Sequence, residues 1–215
     1  MKQFMFFALL INFLSSCTDQ NSVTEHKKEF EGKIIYLTKL ESKSTKFTTD
    51  EFQSFFGDTM TLYIKNGNYR MSYSGKDVKD IYYINKDNNQ YTLRHGIDTL
   101  YVGDCSMEEK HLKSTKIKEN AEFILQRQCD LLINETEDWK TFYWFDPSLY
   151  INPDNFTNHE FGHVNTYYSK ARSPWLKYKY EGRSYNLSHQ AIYISEEKIN
   201  DDTFELPKLP RGILK

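Results

Sequence analysis

The chain has 215 residues, with 28 Lys and Arg against 30 Asp and Glu and a formal charge of −2, so it offers no basic field for nucleic-acid phosphates. Its 16 Tyr, 15 Phe and 3 Trp are too many for a disordered chain and enough for one well-filled core. Five Pro, nine Gly and no visible long repeat exclude collagen-like, low-complexity and solenoid architectures, and the length predicts a single domain.

The first elements concern address. Met1-Lys2-Gln3 is a short positive segment, and Phe4 to Leu14 is apolar apart from Asn12. That run is shorter than the about 20 residues that span a bilayer, so residues 1–16 read as a signal peptide. It ends Leu14-Ser15-Ser16-Cys17, which resembles the bacterial lipobox, in which the cysteine is acylated and becomes the mature N-terminus. Cys17 is therefore the expected lipidation site, the alternative being cleavage elsewhere. Residues 17–29 read as a polar, lipidated tether, and no later segment is apolar enough to cross a membrane. The expectation is an exported protein of the bacterial envelope, held by its N-terminal lipid at the outer membrane and facing the periplasm. An exporting route tolerates disulfides, and Cys105 and Cys129 are the two remaining cysteines. They are expected to pair, a bridge that would stabilise by about 3 kcal/mol, with two buried free thiols as the alternative.

From Phe30 the pattern is overwhelmingly period-2. Phe30 to Leu40 reads as a strand, followed by a polar connection. Met60, Leu62 and Ile64 alternate with polar or amphipathic neighbours; Asn66-Gly67 then supplies a tight turn, and Tyr69, Met71 and Tyr73 resume the alternation, a hairpin signature. Val78 to Asn85, Gln90 to Arg94 and Ile97 to Val102 continue the meander. Residues 103–120 read as a solvated loop, in which the Lys110 to Lys118 cluster is either a soluble face or a contact for anionic head groups. Phe123 to Ile133 and Trp139 to Phe145 are strands again. Asp154 to Ala171 has apolar residues at helical spacing and is followed by Pro174, so the main helix is expected over about 154–171. Leu176 to Tyr180, Tyr185 to Tyr193 and Phe204 to Leu206 complete the strands. The predicted architecture is mainly β (α+β): a curved antiparallel sheet or half-barrel of about nine strands with one main helix, over residues 30–207, with 208–215 as a C-terminal tail. One helix cannot cover so many amphipathic strands, so the aromatics either fill the core or line an apolar hollow.

Phe30-Glu31-Gly32-Lys33-Ile34, Met60 to Gly67, Ile124-Leu125 ahead of Cys129, Trp139 to Phe145 and Phe204 to Pro207 together resemble the GLPGLI-type and related lipoproteins of unknown function. The sequence departs from that pattern at Gln126-Arg127-Gln128 and lacks the Gly-Leu-Pro-Gly signature. The resemblance implies an architecture similar to the LolA-like envelope carriers, which shelter acyl chains. It suggests a non-catalytic module for a lipid, acyl chain or other apolar ligand, with no family site residue to carry over; no cofactor is expected, and the charge balance speaks against a nucleic-acid partner.

One motif points elsewhere. His159-Glu160-Phe161-Gly162-His163 is an HExxH, which on a helix places two imidazoles one turn apart to hold zinc while the glutamate activates water. In this alternative the chain is a zinc metallopeptidase with His159 and His163 as ligands, Glu160 as base, and Glu181 or His189 as third ligand. Against it stand polar neighbours, Gly162 inside the helix, and the missing third-histidine extension. On the other reading His159 and His163 pack or face water and Glu160 is solvated.

Overall fold

Alternation along the chain becomes strands, the first of which bury every second side chain, in the computed structural model, which describes residues 27–107 and 110–213. The signal peptide, Cys17 and most of the tether lie outside the described residues. In β1 (Gly32–Ser42), Ile34, Tyr36, Thr38 and Leu40 turn inward while Leu37 and Lys39 turn out. Gly32 is required where it stands, because a Cβ there would strike the Ser195 carbonyl oxygen of the neighbouring strand. β2 (Thr59–Lys65) and β3 (Asn68–Tyr73) form the expected hairpin, with Asn66 and Gly67 at φ 50° and 74°, both in the left-handed region. The meander continues through β4 (Val78–Ile84), β5 (Asn89–Arg94) and β6 (Leu100–Asp104).

A second run is formed by β7 (Ser114–Ile124), β8 (Arg127–Glu135), β9 (Lys140–Phe145), β10 (Trp175–Glu181) and β11 (Tyr185–Glu196). With β12 (Arg211–Ile213), all twelve strands belong to one sheet, in the order β12-β6-β5-β4-β3-β2-β1-β11-β10-β9-β8-β7. The joint between the two runs is antiparallel pairing of β1 with β11 from Gly32↔Glu196 to Ser42↔Tyr185.

This corrects the expectation of about nine antiparallel strands and one main helix. The sheet is mixed, because β12 runs parallel to β6 where a tail was expected. The region read as a solvated loop contains most of β7, a largely exposed edge strand whose charged residues hid its pairing with β8. β7 and β8 are separated by Leu125 and Gln126, both at positive φ, a turn with no glycine to announce it. Phe204 and Leu206 are not in a strand; Asp201–Phe204 is a short 3-10 turn. An unforeseen helix, α1 (Thr49–Phe56), starts in a capping box: Thr48 accepts from the Glu51 amide, and Glu51 accepts from the Thr48 amide.

The expected 154–171 helix is broken into two 3-10 turns, Pro153–Phe156 and Phe161–His163, and a short α2 (Val164–Ala171). Gly162 (φ 64°) and His163 (φ 57°) both adopt left-handed backbone, which no continuous α-helix contains. Segment 146–174 lies on one face of the sheet. A run of ring contacts crosses it from Tyr83 on β4 through Phe156, Tyr168 and Tyr167 to Tyr143 on β9, each step between 3.9 and 5.8 Å. In a flat sheet six strand spacings would separate β4 from β9 by about 29 Å. Four ring steps cannot reach that far, so the sheet bends toward the segment. The expected tether is pinned at its end, where Glu29 accepts from the Asn152 amide and from Asn155 and Phe30 is buried.

Candidate functional site

Between the inward face of the sheet and segment 159–168 the aromatics leave a cavity of about 320 Å³. Its sheet wall is period-2 alternation made spatial: Leu62 from β2, Tyr69, Met71 and Tyr73 from β3, Tyr143 from β9, Trp175 and Tyr178 from β10, Leu187 and His189 from β11. Phe161, Val164 and Tyr167 close it from above, and Phe56 of α1 reaches one rim. Seven tyrosines line it, and among the described residues no Asp, Glu, Lys or Arg does. Burial pushes the phenols of Tyr69, Tyr167 and Tyr178 well above their ordinary range, so they stay protonated.

Two histidines carry the wall's nitrogen chemistry. His189 sits on the inward face of β11 opposite Thr38 and Tyr178. Its Nδ1 lies 2.9 Å from the Thr38 hydroxyl, and its ring packs against Trp175 at 5.7 Å and Tyr178 at 6.0 Å, which also meet each other at 5.6 Å. His159 packs its ring 4.4 Å from that of Tyr83, with Nε2 3.1 Å from the Tyr69 hydroxyl and Nδ1 buried without a hydrogen-bond partner. Burial lowers His159 to about 4 and His189 to about 3. Both rings are therefore neutral at pH 7, and the described residues of the wall carry no charge.

The HExxH residues do not form the arrangement that zinc chemistry needs. With left-handed backbone at Gly162 and His163, the i, i+4 relation no longer places both imidazoles on one helix face. His159 faces the hollow, His163 packs 5.5 Å from the Trp139 ring, and Glu160 is exposed. Glu181 ends β10, while His189 faces the hollow. Among the described residues no group of three or more His, Cys, Asp or Glu is placed to hold a metal ion.

Cys105 and Cys129 are both buried free thiols, which corrects the expected bridge. Cys105 follows β6, where its carbonyl accepts from the Glu160 and Phe161 amides, and Cys129 lies within β8. Burial raises their thiols to about 12 and about 11, which leaves them unreactive. The basic cluster is neutralised in part, Lys110 by Asp138 at 3.2 Å and Lys113 by Glu137 at 3.2 Å.

Sequence reasoning foresaw a hollow as one of two outcomes but considered His189 only as a third zinc ligand. The signal that places it was present: Tyr185, Leu187, His189 and Ala191 share one face of a strand.

Fold and site together define a one-sheet β protein with an uncharged aromatic hollow. No family model matches the chain, and no curated protein matches it. Among solved structures it is similar to PNGF-II in two crystal forms. In the P21 form the identity is 9% and the TM-score 0.49, over 86% of this chain and 32% of that one. In the C2 form the identity is 10% and the TM-score 0.47, over 85% and 31%. The chain thus spans about a third of the length of those structures, and a likeness of this size carries no inference about activity.

Proposed function

We propose that this protein is a non-catalytic binding module of the bacterial envelope, held at a membrane by a lipid on Cys17, whose hollow takes an apolar ligand such as a lipid or acyl chain. The observation that carries this reading is the cavity of about 320 Å³ walled by tyrosine, tryptophan, phenylalanine and leucine, with no charged side chain on it among the described residues. Small-ligand sites have this character, largely apolar with a few placed polar groups, and this cavity lies at the lower end of their size range. The lipobox and the lipoprotein resemblance of residues 30–207 support the envelope setting. Titrating the purified chain with a fluorescent acyl-chain probe tests the reading. Saturable binding of one probe per chain, with quenching of Trp175 emission, is expected; a probe that never saturates rejects it.

A further inference from the structure

Among the described residues the wall of the hollow is uncharged, but it carries two polar atoms without a protein partner. His189 is 3% exposed, its Nδ1 is engaged by the Thr38 hydroxyl, and its Nε2 makes no hydrogen bond among the described residues. The Tyr178 hydroxyl, on the residue paired with His189 across β10 and β11, has no protein partner among them either. Both residues line the cavity, where water or a ligand hydroxyl can take up these hydrogen bonds. Which His189 nitrogen carries the proton depends on whether Thr38 donates or accepts, but a ligand hydroxyl both donates and accepts and so satisfies either tautomer. A carboxylate or phosphate differs. It would shed its water on entering and find no Lys or Arg on the wall, so its desolvation would go uncompensated. The stacked rings of Trp175, His189 and Tyr178 offer flat faces that suit an aromatic or alicyclic body next to that hydroxyl.

Resting on the ligand-binding reading above, we propose that the hollow selects an uncharged, hydroxyl-bearing amphiphile, its hydroxyl directed at His189 and its apolar body on the tyrosine walls, and rejects the carboxylate of the same skeleton. The test is calorimetric titration of the full chain near pH 7 with a matched pair, para-hexylphenol and para-hexylbenzoate. The phenol is expected to bind saturably and at least about ten-fold more tightly than the benzoate. Equal affinities, or a tighter benzoate, would overturn the selection of an uncharged head group while leaving the apolar-ligand reading in place. Binding of neither compound would overturn both. His189→Phe keeps the ring stack and removes the nitrogen, and should weaken the phenol about ten-fold with little change for the benzoate. A folded His189→Phe protein that binds the phenol unchanged would overturn the role of His189, and the wild-type pair decides head-group selection whether or not that variant folds.

Discussion

Tyr82 and Tyr83 are neighbours on β4, yet they belong to two apolar clusters on opposite faces of the sheet, built on different terms. Tyr83 joins the large cluster, where its ring meets Phe156 and the neutral His159. Tyr82 joins Ile84, Tyr91, Leu93 and Leu100 beneath the C-terminal segment that brings Phe204, Leu206 and Leu209. There the tyrosines are edged by cations: Arg70, paired with Asp80 at 2.9 Å, lies over the Tyr82 ring, and Arg211 lies over Tyr91. The clefts beside this second cluster are lined by Lys86, Asp201 and Glu205 or by Lys79, Arg94 and Asp98, whereas among the described residues no Asp, Glu, Lys or Arg lines the hollow in the first. The same residue type thus serves two ends. With charged partners it fastens a strap to the sheet; with neutral ones it walls a space for a ligand.

Acid should separate the two regions most strongly. His159 and His189 belong to the hollow, and both have folded pKa values, about 4 and about 3, below the ordinary 6.5. Between those values the unfolded chain binds more protons, so stability is complete above about pH 6.5 and falls as pH drops toward 4. Each histidine contributes a slope of about 1.4 kcal/mol per pH unit, several kcal/mol in total by pH 4. Denaturant titrations across this range check it. His189→Phe should flatten the slope by about one histidine's share, and an unchanged slope would mean that His189 is not held neutral by the fold.

The next largest effect belongs to the strapped cluster. Leu100, 1% exposed at the start of β6, pairs in register with Arg211 of β12 and faces the C-terminal apolar residues. Leu100→Ala should cost about 2–5 kcal/mol of stability and leave probe affinity in the hollow unchanged. Affinity that falls with stability would mean that the two faces are not independent.

What could be read in advance follows the range of the forces involved. The β2–β3 hairpin was legible because Asn66-Gly67 states its own turn, and the inward faces of β1, β2 and β3 because alternation is local. The capping box at Thr48 and Glu51 was equally local and went unread amid a polar stretch. β7 was not legible, because Lys116, Lys118 and Glu119 look like a loop until pairing with β8 is known. The 154–171 helix is interrupted at residues 157–160 and again at Gly162 and His163, where the backbone turns left-handed, and spacing alone does not announce either break. The hollow itself could be suspected from aromatic alternation, but its neutrality depends on which strands the bend brings together, and that information is non-local.

Filling the hollow should affect binding and little else. Leu187 lines it from β11, so Leu187→Trp adds bulk into open space rather than into close packing. Acyl-probe affinity should fall by at least about ten-fold, with stability changed by less than about 1 kcal/mol, in contrast to the cost of overpacking a filled core. A variant that binds the probe as well as the parent would place the ligand elsewhere.

The smallest effect has the most informative sign. Were the HExxH segment helical, Gly162→Ala would stabilise the protein by about 1 kcal/mol, because alanine is the better helix former. In the structure Gly162 stands at φ 64° with nothing within 4 Å of where a Cβ would sit, so the added methyl group meets no neighbour and only the backbone responds. Holding an L-residue in that left-handed conformation costs about 1–2 kcal/mol, so Gly162→Ala should destabilise, and Gly162→Asn should do so less because asparagine tolerates that region. The two variants measured side by side in denaturant test the backbone that separates His159 from His163. A stabilised alanine variant would restore the helix, and with it the one-turn spacing on which a zinc site depends.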